Sequence, residues 1–251
     1  MPSFLTAINF LTIFPFARGK VVEPRELASS MALFPLVGVW LGACMWLMDK
    51  YLCLIFPVWV VACLIVAFLA IVTGGLHLDG FTDTLDGFYA GRGDRARTLE
   101  VMKDSRVGAM GVIGLFLLLM LKVAAVASIP TGLRGQALLV MPAISRWSQV
   151  QVAIGSAYAR KEGSLAKAFV EFLEWKHFAT ATIVTCVAVV LLSGTHGMAA
   201  FAVAGLFTFG AKAYFKSRIG GVTGDTIGAV NEINEVLVLL VFCVSLEIFK
   251  G

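Results

Sequence analysis

Pro57-Val58-Trp59-Val60-Val61-Ala62-Cys63-Leu64-Ile65-Val66-Ala67-Phe68-Leu69-Ala70-Ile71-Val72-Thr73 contains no charged residue, and Gly74-Gly75-Leu76-His77-Leu78-Asp79-Gly80-Phe81-Thr82-Asp83-Thr84-Leu85-Asp86-Gly87 follows it directly. An apolar run approaching this length is what a helix needs to cross the hydrocarbon of a bilayer. The whole chain has the same character: 251 residues, 59% hydrophobic and 14% charged, with a mean hydropathy of +0.89. Such a composition excludes an ordinary soluble enzyme. The predicted fold is all-α, a polytopic integral membrane helix bundle lying in the lipid bilayer. No repeat period, linker or low-complexity run divides it, so residues 1–251 read as a single membrane domain.

Working outward, the apolar runs predict about seven transmembrane helices: Ser30–Met48, Pro57–Thr73, Val107–Ile129, Gln136–Ser156, Phe178–Ser193, Met198–Phe215 and Thr226–Phe249. Met1–Phe16 is interrupted by proline and reads as an interfacial or re-entrant segment covering a site. It has no basic residue ahead of it and no small-residue cleavage pattern, which predicts that no signal peptide is removed. One set of loops carries Arg18, Lys20, Arg25, Arg92, Arg95, Arg97, Lys103, Arg106, Arg160, Lys161, Lys167, Lys176, Lys212, Lys216 and Arg218, the other only Lys50, Arg134 and Lys250. By the positive-inside rule the N-terminus is cytoplasmic. That asymmetry also accounts for the net charge of +4 without nucleic acid as a partner. The five cysteines lie in or beside apolar runs without C-x-x-C spacing and read as packing residues.

The 23 residues from Pro57 to Asp79 make ~33 Å of helix, which would bring the acids out at the cytoplasmic interface. On a helix Asp79, Asp83 and Asp86 fall within an arc of roughly 60°, with His77 on the far side. If the helix begins only after Gly80, His77 and Asp79 are free to turn inward. Three carboxylates facing one way repel unless a cation lies among them, and a divalent ion with a bound phosphate is the usual partner. The plainer alternative is a solvated acidic helix end. A second polar cluster opens the last helix, where Asp225, Gly228, Ala229 and Glu232 share a face. Asp225, Asn231 and Glu232 are expected to complete the site, since an unpartnered acid at membrane depth is costly. Lys103 and Arg106, three residues apart, are candidate phosphate ligands, as is Arg146 within its span. Lys122 is expected to be structural and to snorkel outward. Arg95 and Arg97 read as topology-setting, His177 and His196 as incidental. Ser164–Lys176 puts Leu165, Phe169, Phe172 and Leu173 on one face, an interfacial helix that anchors the surface or floors a substrate site.

Gly74-Gly75-Leu76-His77-Leu78-Asp79-Gly80, Asp83-x-x-Asp86-Gly87, Met102-Lys103-Asp104-Ser105-Arg106-x-Gly108 and Gly224-Asp225-Thr226-x-Gly228-Ala229-x-Asn231-Glu232, together with Phe10–Pro15, resemble the cobalamin synthase family over essentially the whole chain. The resemblance implies a Mg²⁺-dependent enzyme of the bacterial cytoplasmic membrane, its active site facing the cytoplasm, in the last steps of vitamin B12 biosynthesis. It would join the corrin of adenosylcobinamide-GDP to α-ribazole or its 5′-phosphate and release GMP. Chemistry and resemblance together assign Asp79, Asp83 and Asp86 to metal, Asp225 and Glu232 to metal or orientation, and Lys103, Arg106, Arg146 and Asn231 to substrate phosphates. His77 or an aspartate would take the hydroxyl proton. A homo-oligomer is left open. The rival readings are a CDP-alcohol phosphotransferase, which Asp83-x-x-Asp86-Gly87 almost matches, a prenyltransferase with differently spaced aspartates, and a transporter using Glu232, Arg146 and Lys122.

Overall fold

The computed structural model describes residues 4–15, 22–161 and 165–244. Met1, Phe16, Arg18, Lys20, Ser164, Lys250 and the predicted end of the last helix at Phe249 lie outside them. The described residues form helices α1 (Phe4–Leu11), α2 (Pro24–Ser30), α3 (Phe34–Leu52), α4 (Val58–Val72), α5 (Leu76–Gly91), α6 (Arg95–Val101), α7 (Ala109–Ser128), α8 (Thr131–Ala153), α9 (Leu165–Phe172), α10 (Trp175–Ile219) and α11 (Gly224–Cys243). No strand occurs among them, only an isolated parallel bridge between Tyr158 and Val222.

The bundle is built around α8, which packs against α3, α10 and α11 and buries almost every residue from Ala137 to Ala153. Its closest neighbour is α3, because two glycines spaced four apart let the backbones touch. A Cβ on Gly38 or Gly42 would stand 2.4 Å from the carbonyl oxygen of Pro142 or Leu139. Small residues at this spacing are how helices associate where lipid supplies no hydrophobic drive. Arg134 ties the two helices together at one end, its Nε donating to Asp49 at 2.7 Å. Helix α10 breaks at Gly194, where φ is 53° and ψ −133°. A Cβ on Gly197 would be 3.2 Å from Val189, eight residues back, which a continuous helix would hold ~12 Å away. The chain therefore reverses at Gly194, and the arms 175–193 and 195–219 occupy the two spans expected there.

The membrane character stands. By length and composition four stretches can cross a bilayer, Pro24–Leu52, α7, α10 and α11, with a fifth if α4 and α5 form one broken span, and the reversal at Gly194 divides α10 into two arms. The 15 residues of α4 supply only ~22 Å of helix, less than the hydrocarbon thickness. Helix α8, expected as the span Gln136–Ser156, carries Arg134, Gln136, Arg146, Gln149 and Gln151 and is not among those stretches; Arg134, Arg146 and Gln149 are buried against its neighbours.

The continuous helix from Pro57 to Asp79 is also corrected. Gly74 and Gly75 take φ values of 60° and 68°, open to glycine and rare for other residues, and α5 leaves the line of α4 at 89°. We place α5 outside the spanning helices. Two further glycines let it cross α11: a Cβ on Gly80 would stand 2.9 Å from the Asp225 backbone, and one on Gly228 3.2 Å from His77. That crossing sets the acids of the first polar cluster beside the first acid of the second.

Candidate active site

The acids are presented by two helix starts. Helix α5 begins at Leu76 rather than after Gly80, so Asp79 and Asp83 lie one turn apart on its surface, Asp79 exposed and Asp83 half-buried. Helix α11 begins at Thr223, whose hydroxyl accepts the Thr226 amide at 3.2 Å while the Thr226 hydroxyl accepts the Thr223 amide at 2.8 Å. This reciprocal cap holds Asp225 in the first turn, where the helix dipole favours a negative charge. Burial, and then the nearby carboxylates of Asp79 and Asp225, push the Asp83 carboxyl up to about 7.

Asp86 is on the same helix but is already occupied. Its two oxygens accept the amides of Gly108 at 2.7 Å and Gly111 at 2.8 Å, so it caps the start of α7 from across the chain. A Cβ on either glycine would come within 2.5 Å of this carboxylate, which is why both positions need glycine. The structure gives Asp86 a positioning role and leaves Asp79, Asp83 and Asp225 as the acids open to a ligand.

Arg160 faces them. Its guanidinium pairs with Asp225 and donates to the Met102 carbonyl at 3.1 Å, while its Nε is buried without a partner. Two backbone bonds position it: the Ala159 amide donates to the Val222 carbonyl and the Val222 amide to the Ala157 carbonyl, both at 2.9 Å. Beyond it, Arg95, Lys103, Arg160 and Lys161 line a hollow of about 490 Å³. Sequence reasoning counted Arg160 only as a topology signal, and its tie to the start of α11 has no local pattern. Of the four expected phosphate ligands, Lys103 lines this hollow, whereas Arg106 forms a two-pronged exposed pair with Asp104 and holds that carboxyl down at about 2.

The remaining expected site residues are elsewhere. Glu232 lies seven residues beyond Asp225, ~10 Å along the helix, and pairs with Lys122. Glu235 pairs with both Lys122 and Arg146. Lys122 is 4% exposed and Arg146 0%, so Lys122 does not snorkel and Arg146 does not reach the acids. Asn231 donates to Glu232 at 3.2 Å and Glu235 at 3.1 Å, and Gln149 links it to His77. Asn231 and Glu232 therefore belong to a buried charge network. Glu235 and Gln149 were not anticipated, although two cations in the spans call for a second carboxylate.

His77 and Asp79 meet in the wall of a cavity of about 320 Å³ that also touches Asp225 and is closed by Phe10 of α1 and Phe169 of α9. The two rings stand edge to face at 4.7 Å. The N-terminal segment and the amphipathic helix thus both cover the site. His177, expected to be incidental, accepts the Glu174 amide at 3.2 Å and caps α10.

Among the described residues no three His, Cys, Asp or Glu side chains are close enough together to hold a metal ion as they stand. The donor set nevertheless fits Mg²⁺, which is held by one or two carboxylates, water and substrate phosphates more often than by a full protein cage.

No solved structure matches this chain. Residues 3–243 match the model of the family described as cobalamin-5-phosphate synthase. A protein of Geotalea daltonii named adenosylcobinamide-GDP ribazoletransferase is 45% identical, covering 94% of this chain and 95% of its own. Proteins of the same name are 41% identical in Syntrophobacter fumaroxidans, over 94% and 96%, and 34% identical in Clostridium tetani, over 98% of each. The chain belongs to the cobalamin-5-phosphate synthase family.

Proposed function

We propose that this chain carries the activity its relatives are named for, acting as a membrane ribazoletransferase on adenosylcobinamide-GDP. The observation that carries this reading is the family match over nearly the whole chain, and the meeting of Asp79, Asp83, Asp225 and Arg160 beside one cavity supports it. A hydroxyl of α-ribazole or its 5′-phosphate attacks the phosphorus on the cobinamide side of the diphosphate, and GMP leaves.

Such a transfer needs its charge neutralised and its atoms aligned more than it needs covalent catalysis. Asp79, Asp83 and Asp225 would hold Mg²⁺, which supplies that neutralisation when bound. Arg160, with Lys103 in the adjoining hollow, takes the phosphate oxygens that face away from the acids. Asp86 keeps α5 and α7 in register. The hydroxyl proton goes to an aspartate: burial, and then the Arg146 cation, press His77 down to about 3, which makes it a poor base. The excess of basic residues on the loops of this face, Arg92–Arg106 and Arg160–Lys161 among them, supports a site open to the cytoplasm of a bacterial inner membrane.

The test is GMP release by purified protein given Mg²⁺ and adenosylcobinamide-GDP, with and without α-ribazole or its phosphate. Release that requires the acceptor is expected. CMP from a CDP-alcohol, with no GMP under any condition, would hand the site to the other phosphotransferase class.

A further inference from the structure

Helix α5 leaves α4 through the positive-φ glycines Gly74 and Gly75 and crosses α11 where glycine meets backbone, at Gly80 and Gly228. A crossing without side-chain ridges brings two helices close but does little to stop one sliding along the other. Polar bonds must set the register. Toward its C-terminal end α5 is fixed by Asp86, which accepts the amides of Gly108 and Gly111. In its first turn the fixing bond comes from α8, where Gln149 Nε2 stands 3.1 Å from His77 Nε2. Asp79 and Asp83 lie between those two anchors.

The same Gln149 nitrogen also reaches α11, 2.9 Å from Asn231 Oδ1. The charges behind it decide the direction of these bonds. Glu232 and Glu235, ionised by their pairing with Lys122 and Arg146, can only accept. Asn231 Nδ2, bonded to both, is therefore the donor end of its amide. Its Oδ1 accepts from Gln149 Nε2, and the second hydrogen of that nitrogen goes to His77. One amide group thus holds two different helices. Gln149 is 2% exposed, Asn231 0% and His77 3%, so no water replaces a partner that is lost. His77 is two residues ahead of Asp79 and Asn231 six beyond Asp225. The separation that Gln149 sets is that of the two helix starts bearing the acids.

We infer that Gln149 is a positioning residue for the metal-binding acids: by clamping His77 to Asn231 it holds Asp79 and Asp83 of α5 at the distance from Asp225 of α11 at which they share one divalent cation. The inference rests on the assignment of those acids to Mg²⁺ in the proposed function. Carboxylates must approach one another against repulsion to bind an ion, and a preset spacing removes part of that cost. Mg²⁺ is sensitive to such spacing because it demands near-ideal octahedral geometry. The buried charge network thereby gains an effect besides cohesion, since the glutamates orient Asn231 and Asn231 orients Gln149.

The full chain in detergent is titrated with Mn²⁺ in the presence of inorganic pyrophosphate, and bound metal is read by electron paramagnetic resonance without turnover. Gln149→Met keeps the length of the side chain and removes both bonds. It is expected to weaken Mn²⁺ binding about tenfold, the worth of one net hydrogen bond. Gln151→Met is the control: it removes a 3.1 Å bond from the same helix to the Gly205 carbonyl of α10 and should lower thermal stability without moving the Mn²⁺ affinity. Unchanged affinity in Gln149→Met, or an equal loss in Gln151→Met, would overturn the inference. A second measurement needs no variant to fold. Coupling is reciprocal, so Mg²⁺ with pyrophosphate should slow the solvent exchange of the Gln149 side-chain amide protons in ¹⁵N-labelled unmodified protein, and exchange indifferent to Mg²⁺ removes the clamp. The readings fail separately. Mn²⁺ binding that depends on Gln149, without GMP release by the unmodified protein, sinks the transferase alone; GMP release with Mn²⁺ binding indifferent to Gln149 sinks the clamp alone; no Mn²⁺ bound by the unmodified protein sinks the metal assignment and the clamp together.

Discussion

Helix α11 carries acids in two settings that the same residue types make opposite in meaning. Asp225, half-buried in its first turn, lines a cavity together with the exposed Asp79 and has a single cationic partner, Arg160. Two and three turns on, Glu232 and Glu235 are 4% and 0% exposed and answer Lys122 and Arg146 in a closed set of two cations and two anions. Carboxylates left facing each other have binding capacity to spare. Carboxylates matched one for one have none, and what they contribute is the cohesion of α7, α8 and α11 at a depth where no water can substitute.

The comparison breaks first at the closed set. Glu235→Gln leaves Lys122 and Arg146 with one carboxylate between them, and removing one member of a buried ion group typically costs about 3–5 kcal/mol. The expected outcome is a large loss of thermal stability in detergent, with the surviving folded fraction turning over within a few-fold of normal. Loss of turnover at unchanged stability would move Glu235 into the active site. At the open set the signs reverse. Asp83→Asn and Asp225→Asn should each lower GMP release by on the order of 10²–10³-fold, the scale of losing one charge-stabilising group in a transition state; the apparent unfolding temperature stays level or rises in Asp83→Asn, where a repulsion is relieved, and falls in Asp225→Asn, which leaves Arg160 without its carboxylate. Asp86→Asn lies between. It keeps one acceptor but offers an amide to the backbone of Gly108 and Gly111, and the weakened cap should cost about 1–2 kcal/mol, with a smaller drop in turnover than at Asp83. An Asp86→Asn enzyme as dead as Asp83→Asn, at full stability, would return Asp86 to the ligand set.

How much of this could be read beforehand follows the range of the signal. The helical membrane class rests on runs such as Pro57–Thr73, and the acids Asp79, Asp83 and Asp225 rest on local spacing and glycine patterns, so both were legible. What composition does not give is the number of spans: α8, expected as Gln136–Ser156, hides Arg134, Arg146 and Gln149 against its neighbours, and two glycines after Thr73 bend α4 into α5 by 89°. Grouping Glu232 with Asp225 followed a shared helix face, but a face does not say that seven residues carry the second acid ~10 Å away. Arg160 and Gln149 were hidden for another reason: their partners, Asp225 and His77, are 65 and 72 residues distant, and a pairing over that range is a property of the fold.

The smallest effect sharpens the comparison without any loss of function. In the folded chain Asp83 holds its proton up to about 7, whereas in the unfolded chain it would release it near 3.8. Between those values the folded state binds more protons than the unfolded one, so Asp83 makes stability fall as pH rises across that window, with no contribution to the slope below or above it. In the presence of a chelator, the unfolding temperature should therefore decline between about pH 4 and pH 7, and Asp83→Asn should flatten that decline. Adding Mg²⁺ should do the same at the upper end by stabilising the ionised carboxylate. The half-buried position of Asp83 lets water screen much of the repulsion, which keeps the shift to a few degrees at most. Were the slope instead to survive Asp83→Asn and vanish in Asp86→Asn, the proton would belong to the capping carboxylate, and the division of α5 into a ligand-binding acid and a positioning acid would have to be reversed.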